Sequence, residues 1–311
     1  MSTPDPLALH ADLLVGSPAR QRRERLVGWA FRAAAIISIL ISAAIVLSLA
    51  GRAFTFLTSV DLGALWSSGW FPRRGLYDIR TLVVGTSIIA GIGMIVAAPL
   101  GLGAAIYLAE YARPRARRVL KPILEILAGI PSVVIGFFAL TFISPEIVQR
   151  LFREASFFNM MAAGIGVGVL VTPLVASIAE DALRSVPSAL REASYGLGAR
   201  RRPTTMKVVV PAAVSGIMAS LIVGVSRAIG ETMVVAIAAG ASGGSALTFD
   251  PTQPGQSMTA AMTALAIGSD QVKGADNTFE SLFFVGLLLF VLTLLLNIVS
   301  ERFVRKVRQR Y

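Results

Sequence analysis

Leu190-Arg191-Glu192-Ala193-Ser194-Tyr195-Gly196-Leu197-Gly198, followed after a basic run by Val208-Val209-Val210-Pro211, lies between two apolar stretches, Ala162 to Ala179 and Ala212 to Ala241. Each is long enough to cross a bilayer. Leu190, Ala193 and Leu197 recur at i, i+3 and i+7 and share one face of a short helix, with Arg191 and Glu192 beside it. Gly198 suits a left-handed helix stop, and Pro211 suits the first position of the next helix. An amphipathic helix in such a loop has two readings. It rests on the lipid surface, or it is the handle by which a separate soluble motor grips the membrane part.

Outward from this loop the chain is apolar. Of 311 residues 55% are hydrophobic and 15% charged, and the mean hydropathy is +0.71. That is more apolar than a soluble domain keeps in solution, so the chain is an integral membrane protein. Six segments meet the spanning criterion: Ala33 to Ala50, Leu82 to Leu108, Ile123 to Ile143, Ala162 to Ala179, Ala212 to Ala241 with a polar interruption, and Leu282 to Val299. The expected fold is all-α, a polytopic membrane protein with six transmembrane helices. Its expected organisation is a tail over residues 1–32, one transmembrane domain over 33–300 with the loop at about 184–211, and a tail over 301–311.

Charge sets the orientation. Arg113, Arg115, Arg117, Arg118 and Lys121 crowd the second connection, and Arg184, Arg191, Arg200, Arg201, Arg202 and Lys207 the fourth. The N-terminal tail (Arg20, Arg22, Arg23, Arg25) and the C-terminal tail (Arg302, Arg305, Lys306, Arg308, Arg310) are basic too, so these four and both termini are expected in the cytoplasm. The third connection (Glu146, Arg150, Arg153, Glu154) and the fifth (Asp250, Asp270, Lys273, Asp276, Glu280) lack a positive excess and are expected outside. The first breaks the rule, with Arg52, Arg73, Arg74 and Arg80 against Asp61 and Asp78. Its Trp66, Trp70 and Tyr77 suit an interfacial layer. The basic leader before Ala33 allows a signal peptide, but eighteen apolar residues span about 27 Å, which favours a retained anchor.

The net charge of +11 does not point to nucleic acid, because no basic face is interleaved with stacking aromatics. Zero cysteines exclude disulfides and thiolate metal sites. The single histidine, His10, lies in the polar leader. No Gly-x-x-x-x-Gly-Lys-Ser/Thr loop, metal-ligand spacing or Ser/His/Asp arrangement occurs, so a membrane enzyme has little to stand on. Gly93, Gly101, Gly164, Gly166 and Gly168, with Pro99, Pro131 and Pro173, point to close helix packing and kinks.

The sharpest chemical feature is Arg227-Ala228-Ile229-Gly230-Glu231-Thr232, set inside the fifth apolar run. An arginine at mid-bilayer costs at least about 2.5 kcal/mol, so it needs a partner or a wet cavity. Four-residue spacing lets Arg227 and Glu231 pair on one helix face. The pair is either a self-neutralising salt bridge or a polar station on a translocation path. In the second case the guanidinium offers bidentate donors to an oxyanion, while Glu231 accepts a hydrogen from a protonated one. Phosphate carries such protons at neutral pH and sulfate does not. Thr232 and Ser226 add neutral hydrogen-bonding groups. Glu125 is expected to pair with Lys121, and Glu180 and Asp181 with Arg184.

Glu192-Ala193-Ser194, three residues to Gly198, nine to Val208, then Val210-Pro211 resembles the EAA loop of ABC importer permeases, Glu-Ala-Ala-x3-Gly-x9-Ile-x-Leu-Pro. Ser194 replaces the second alanine, and valines replace isoleucine and leucine. Leu120 to Val134, Arg227 to Met233, Pro254 to Thr259 and Leu294 to Asn297 are similar to the permeases of the high-affinity phosphate importer. Thr232 to Val235 and Glu180 to Pro187 look more like its PstC type than its PstA type. The resemblance runs from about Trp70 to the C-terminus. It implies the type I importer permease fold in a bacterial cytoplasmic membrane. It implies a second, PstA-type permease, two ATPase subunits and an extracytoplasmic phosphate-binding protein as partners. Under it Glu192, Ala193 and Gly198, with Leu190 and Leu197 on the helix face, couple to the ATPase, and Arg227, Glu231 and Thr232 line the substrate path. No cofactor belongs to this chain, and ATP and Mg are bound by the partner ATPase. A sulfate or molybdate permease shares the loop, but a fully deprotonated dianion would be repelled by Glu231. A secondary carrier or channel working without ATP is the alternative from another class, and the loop spacing speaks against it.

Overall fold

The structure, a computed structural model, describes residues 18–240, 243–268 and 276–307, with side chains described over 22–240, 243–268 and 277–302. The expectations on His10, Arg20, Ala241, Asp270, Lys273, Asp276, Arg305, Lys306, Arg308 and Arg310 lie outside the described residues or side chains. Among the described residues five helices are apolar and long enough to cross a bilayer: Arg22–Ser59, Ile79–Tyr111, Ser132–Leu151, Met160–Arg184 and Asn277–Arg302. The pair Arg201–Ala212 and Val214–Ile229, bent by 70°, is apolar and long enough together to be a sixth, broken span or a re-entrant loop.

Helix α1 is Pro18–Ser59. Its residues 22–51 form a unit described by itself, with Leu26, Trp29, Phe31, Ile39, Leu40 and Leu47 exposed as a lipid-facing helix requires. From Arg52 onward the chain is a second unit. There Ala53 and Phe56 bury against Trp70, Tyr77, Leu82, Met258, Leu265 and Phe284, with the Phe56 ring edge-on to Tyr77 at 5.1 Å. Strands β1 (Gly69–Phe71) and β2 (Leu76–Tyr77), with β3 (Ser245–Ala246), make a three-stranded antiparallel sheet in the order β2-β1-β3. This corrects the interfacial reading of the aromatic cluster. Trp70 and Tyr77 are core, and only Trp66 of the three is exposed.

Helix α2 (Ile79–Ile106) starts on buried Asp78, which accepts from the Arg80 N–H and from the Thr81 hydroxyl at 2.8 Å, and ends in a π-turn over Tyr107–Tyr111. Helix α3 (Pro114–Ala128) follows, then α4 (Ser132–Phe138), continued by a π-helical run to Val148 and a last turn to Leu151. The third span therefore begins at Ser132, not at Ile123. Pro131, in extended conformation (ψ 134°), cannot continue a helix and disfavours one in Ile130. The apolar residues Ile123, Ile126 and Leu127 instead lie exposed on α3, which buries none of its residues.

Helix α5 (Met160–Arg184) crosses α2 at closest approach through small residues. A Cβ on Gly164 would meet the Cβ of Ile92 at 2.7 Å; one on Gly168 would meet that of Val96 at 2.7 Å and the Gly93 carbonyl at 2.8 Å. This is the close packing the glycines foretold. Gly168→Leu is expected to force the two helices apart at a cost of about 1–3 kcal/mol or more. A lowered melting temperature of the purified permease assembly checks it.

Helix α6 (Ser188–Gly196) lies in the following loop. The chain then runs Arg201–Ala212, bends, and continues as α7 (Val214–Ile229). The fifth span departs from the continuous run Ala212 to Ala241. It stops at Gly230, and a separate short helix, α8 (Met233–Ala238), begins after Thr232. The fifth connection carries a helix of its own. Helix α9 (Met258–Ala266) buries Met258, Ala261 and Leu265, and α10 (Asp276–Val307) packs beside it.

Candidate translocation site and loop surface

Arg227 occupies the last turn of α7, and Glu231 and Thr232 lie in the break before α8. The expected pair is formed: Arg227 Nη1 donates to Glu231 Oε2 at 2.7 Å. The two partners differ sharply in exposure, Glu231 at 3% and Arg227 at 46%. Glu231 is also held by its other oxygen, which accepts from the Val234 N–H of α8 at 3.4 Å. A carboxylate at the first turn of a helix suits the positive end of the backbone dipole. Arg227, by contrast, has this one carboxylate as its charged partner among the described residues, so much of its planar fork is turned to open space.

At the break Gly230 caps α7, the Glu231 N–H donates to the Ala228 carbonyl at 3.3 Å, and the helical ladder resumes at the Thr232 carbonyl, which accepts from the Ala236 N–H at 2.9 Å. Thr232 is half-buried, and its hydroxyl donates to the Gly230 carbonyl at 3.4 Å. Ser226, one turn back, donates to Asn297 Oδ1 of α10 at 3.0 Å.

Residues outside the sequence reading of the site complete its inner wall. The Thr259 hydroxyl donates to the Glu231 carbonyl at 2.7 Å and contacts Ser257 Oγ at 2.9 Å, while Thr86 of α2 accepts from the Met258 N–H at 3.0 Å. Thr259, Ser257, Thr86 and Met258 are all buried. Gly85 allows this approach, since a Cβ there would meet the Gln256 carbonyl at 2.4 Å. The run Pro254 to Thr259 was visible in the sequence, but nothing local tied it to Glu231. Thr259→Val would leave a buried carbonyl without its donor, costing about 1–3 kcal/mol. Thermal melting of the variant is expected to shift downward accordingly.

On the loop, α6 forms as expected, and Gly198 takes φ +78°, the left-handed stop that glycine permits. The apolar face is split, however. Leu190 is half-buried against Leu183, Val186 and Val209, while Glu192, Ala193 and Leu197 are exposed, Leu197 at 89%. Leu197 lies just past the helix end, so it does not stack on Leu190.

Ion pairs set the base of this loop. Glu180, 1% exposed, accepts from Arg117 Nη2 at 2.5 Å and from Lys121 at 3.0 Å, with Arg184 further away at 3.8 Å. Lys121 also reaches Asp181 at 3.2 Å. The expected Lys121–Glu125 pair is thus replaced, because two adjacent acids of α5 attract the ammonium more strongly than a single exposed glutamate. The hydrogen bond to Glu180 holds the Lys121 ammonium above its ordinary value, burial opposing. Its contribution is complete below the unfolded value and fades only as pH rises through the raised one, so it is constant across neutral pH. A cleft of about 880 Å³ opens here, lined by Arg117, Arg118, Lys121, Glu125, Arg184 and Arg191 among others.

A helical bundle with one polar, broken span and an exposed amphipathic helix between two others is the architecture of a membrane permease. The chain belongs to the binding-protein-dependent transport system inner membrane components, a family whose pattern matches residues 97–309. It is the permease subunit of an ABC importer, an inner membrane component of a family without catalytic activity of its own, whose members work with an ATPase and a binding protein. It is 34% identical over 280 residues to a probable ABC transporter permease protein, YqgH, of Bacillus subtilis (strain 168), covering 87% of this chain and 88% of that one. It is 30% identical to the phosphate transport system permease protein PstC of Mesorhizobium japonicum, over 90% of this chain and 89% of that one. Among solved structures, a bacterial alginate ABC transporter in complex with its pentasaccharide-bound periplasmic protein aligns with a TM-score of 0.65 at 15% identity, covering 93% of this chain and 98% of the other. An inward-facing methionine transporter, MetNI, aligns at 0.53 and 20% identity, over 74% of this chain and 94% of that one. Both likenesses concern the fold.

Proposed function

We propose that this permease moves inorganic phosphate inward across the cytoplasmic membrane, with Arg227, Glu231 and Thr232 on the substrate path. The observation that carries the reading is the asymmetry of the charged pair. A buried, doubly held Glu231 fixes one edge of a half-exposed Arg227, whose remaining donors are free to meet an oxyanion. The phosphate permeases among the relatives support the choice of substrate. A carboxylate beside the guanidinium suits an anion that still carries a proton, and disfavours sulfate or molybdate. Contact is transient, because tight binding would slow release.

In this reading both termini and α6 face the cytoplasm, and Glu192, Ala193, Leu197 and Gly198 meet the ATPase, with Leu190 seating the helix on the bundle. ATP and Mg are bound by two copies of that partner. A PstA-type permease completes the membrane part, and a phosphate-binding protein delivers from outside. The test is uptake of radiolabelled phosphate and sulfate into vesicles holding the whole complex, with and without ATP. ATP-dependent uptake of phosphate over sulfate is expected. Preference for sulfate would assign the permease to another oxyanion, and uptake by this chain without ATP would make it a secondary carrier.

A further inference from the structure

Beside the apolar seat of Leu190, one charged side chain of the coupling helix reaches into the bundle. Arg191, with 20% of its side chain exposed, donates from Nη2 to Glu110 Oε1 at 2.8 Å and from Nε to the same oxygen at 3.2 Å. Its Nη1 reaches the Val186 carbonyl at 2.6 Å, and Nη2 also reaches the Leu183 carbonyl at 2.8 Å. Glu110 is buried, and it sits in the π-turn that ends the second span. The far end of the loop grips the same turn: the Arg201 guanidinium lies 5.2 Å from the Tyr111 ring centre. Ser194 joins α6 to the start of the Arg201–Ala212 run through Thr204 at 2.9 Å.

Two consecutive residues of one turn, Glu110 and Tyr111, are thus clasped by cations from both ends of the loop. A guanidinium shared among a buried carboxylate and two carbonyls is a stiff joint, because its planar fork meets all three acceptors in one orientation only. The turn it holds closes through the Ala112 N–H to the Tyr107 carbonyl at 2.7 Å, a wide turn that can tighten or relax by one residue.

We infer that Arg191 is a positioning residue that makes the coupling helix and the end of the second span, at Glu110, move as one body. The inference rests on the ATP-driven reading above. Displacement of the exposed face at Glu192, Ala193 and Leu197 enters the second span through Glu110, and α2 carries it past Gly93 and Gly101 into α5. Arg191 touches no substrate, so its loss uncouples rather than blocks.

The test uses the complete complex in vesicles, with Arg191→Lys and, as the gentler variant, Glu110→Gln. Lysine keeps the charge but cannot bond the carboxylate and both carbonyls at once. Phosphate moved per ATP hydrolysed is expected to fall at least about tenfold, with melting temperature and subunit content little changed. Because the chain contains no cysteine, spin labels at Leu100→Cys on α2 and Ala189→Cys on α6, both exposed positions, report the joint directly. Their distance is expected to stay constant between nucleotide-free and nucleotide-bound complexes, and to broaden with nucleotide once Arg191→Lys is added. A distance that changes in the unsubstituted joint, or an unchanged distance and transport ratio in both variants, overturns the proposal. So does a loss of uptake and hydrolysis in proportion to surviving complex, which would make Arg191 a brace. If the unsubstituted complex moves no phosphate, the functional reading fails, and the label distances still decide the joint.

Discussion

Glu231→Gln is expected to lower phosphate uptake at least about tenfold while the complex still assembles and hydrolyses ATP. The glutamate is 3% exposed and is held by Arg227 at 2.7 Å and by the Val234 N–H. An amide of the same size keeps the packing and one acceptor but gives up the charge that orients the guanidinium. The loss of a charge-assisted bond is worth about 1.5–3 kcal/mol, which corresponds to a loss of rate of about tenfold or more. Arg227→Gln is expected to go further, because it removes the donor fork itself and leaves Glu231 buried without its cation. Breaking a fully buried pair from one side costs about 3–5 kcal/mol, and less here where Arg227 is 46% exposed, so this variant is measured together with its melting temperature. If both variants import phosphate as the unsubstituted complex does, the pair is a structural salt bridge only.

Glu180→Ala is expected to be the most destabilising single change at the loop end of the bundle. One carboxylate there serves Arg117, Lys121 and Arg184, and its removal strands the partly buried Arg117 and leaves Lys121 with Asp181 alone. A loss of about 3–5 kcal/mol follows from breaking a buried pair, moderated where Arg184 is 46% exposed. Thermal unfolding and the yield of assembled complex are the readouts. Uptake should fall in proportion to the folded protein, leaving transport per complex unchanged. Lower transport per surviving complex would mean that Glu180 belongs to the coupling path instead.

The contrast between these two acids shows what the sequence could reveal. Arg227 and Glu231 stood out because charges inside an apolar run are costly, and their spacing of four gave the pairing. Glu180 is equally buried, but its partner Arg117 lies 63 positions earlier on α3, with Lys121 one turn further along, and spacing rules reach only one turn of helix. The same limit hid Thr259, whose bond to the Glu231 carbonyl joins residues 28 apart. Most spans were legible from hydropathy alone. The third was misplaced because Ile123 to Ile130 are as apolar as a span, and only the geometry of Pro131 separates them from it. The fifth was read as one run with an interruption, whereas Gly230 to Thr232 ends one helix and starts another. Trp70 and Tyr77 are amphipathic enough for an interface, and it took the strand pairing of Trp70 with Tyr77 to turn both inward.

The most direct measurement is uptake of labelled phosphate and sulfate, with ATP hydrolysis followed in the same vesicles, by complexes carrying unsubstituted chain or Glu231→Gln. The expected result is phosphate import that depends on ATP, exceeds sulfate import, and collapses in the variant while hydrolysis continues. Equal phosphate import by both complexes would contradict a translocation role for the Arg227–Glu231 pair.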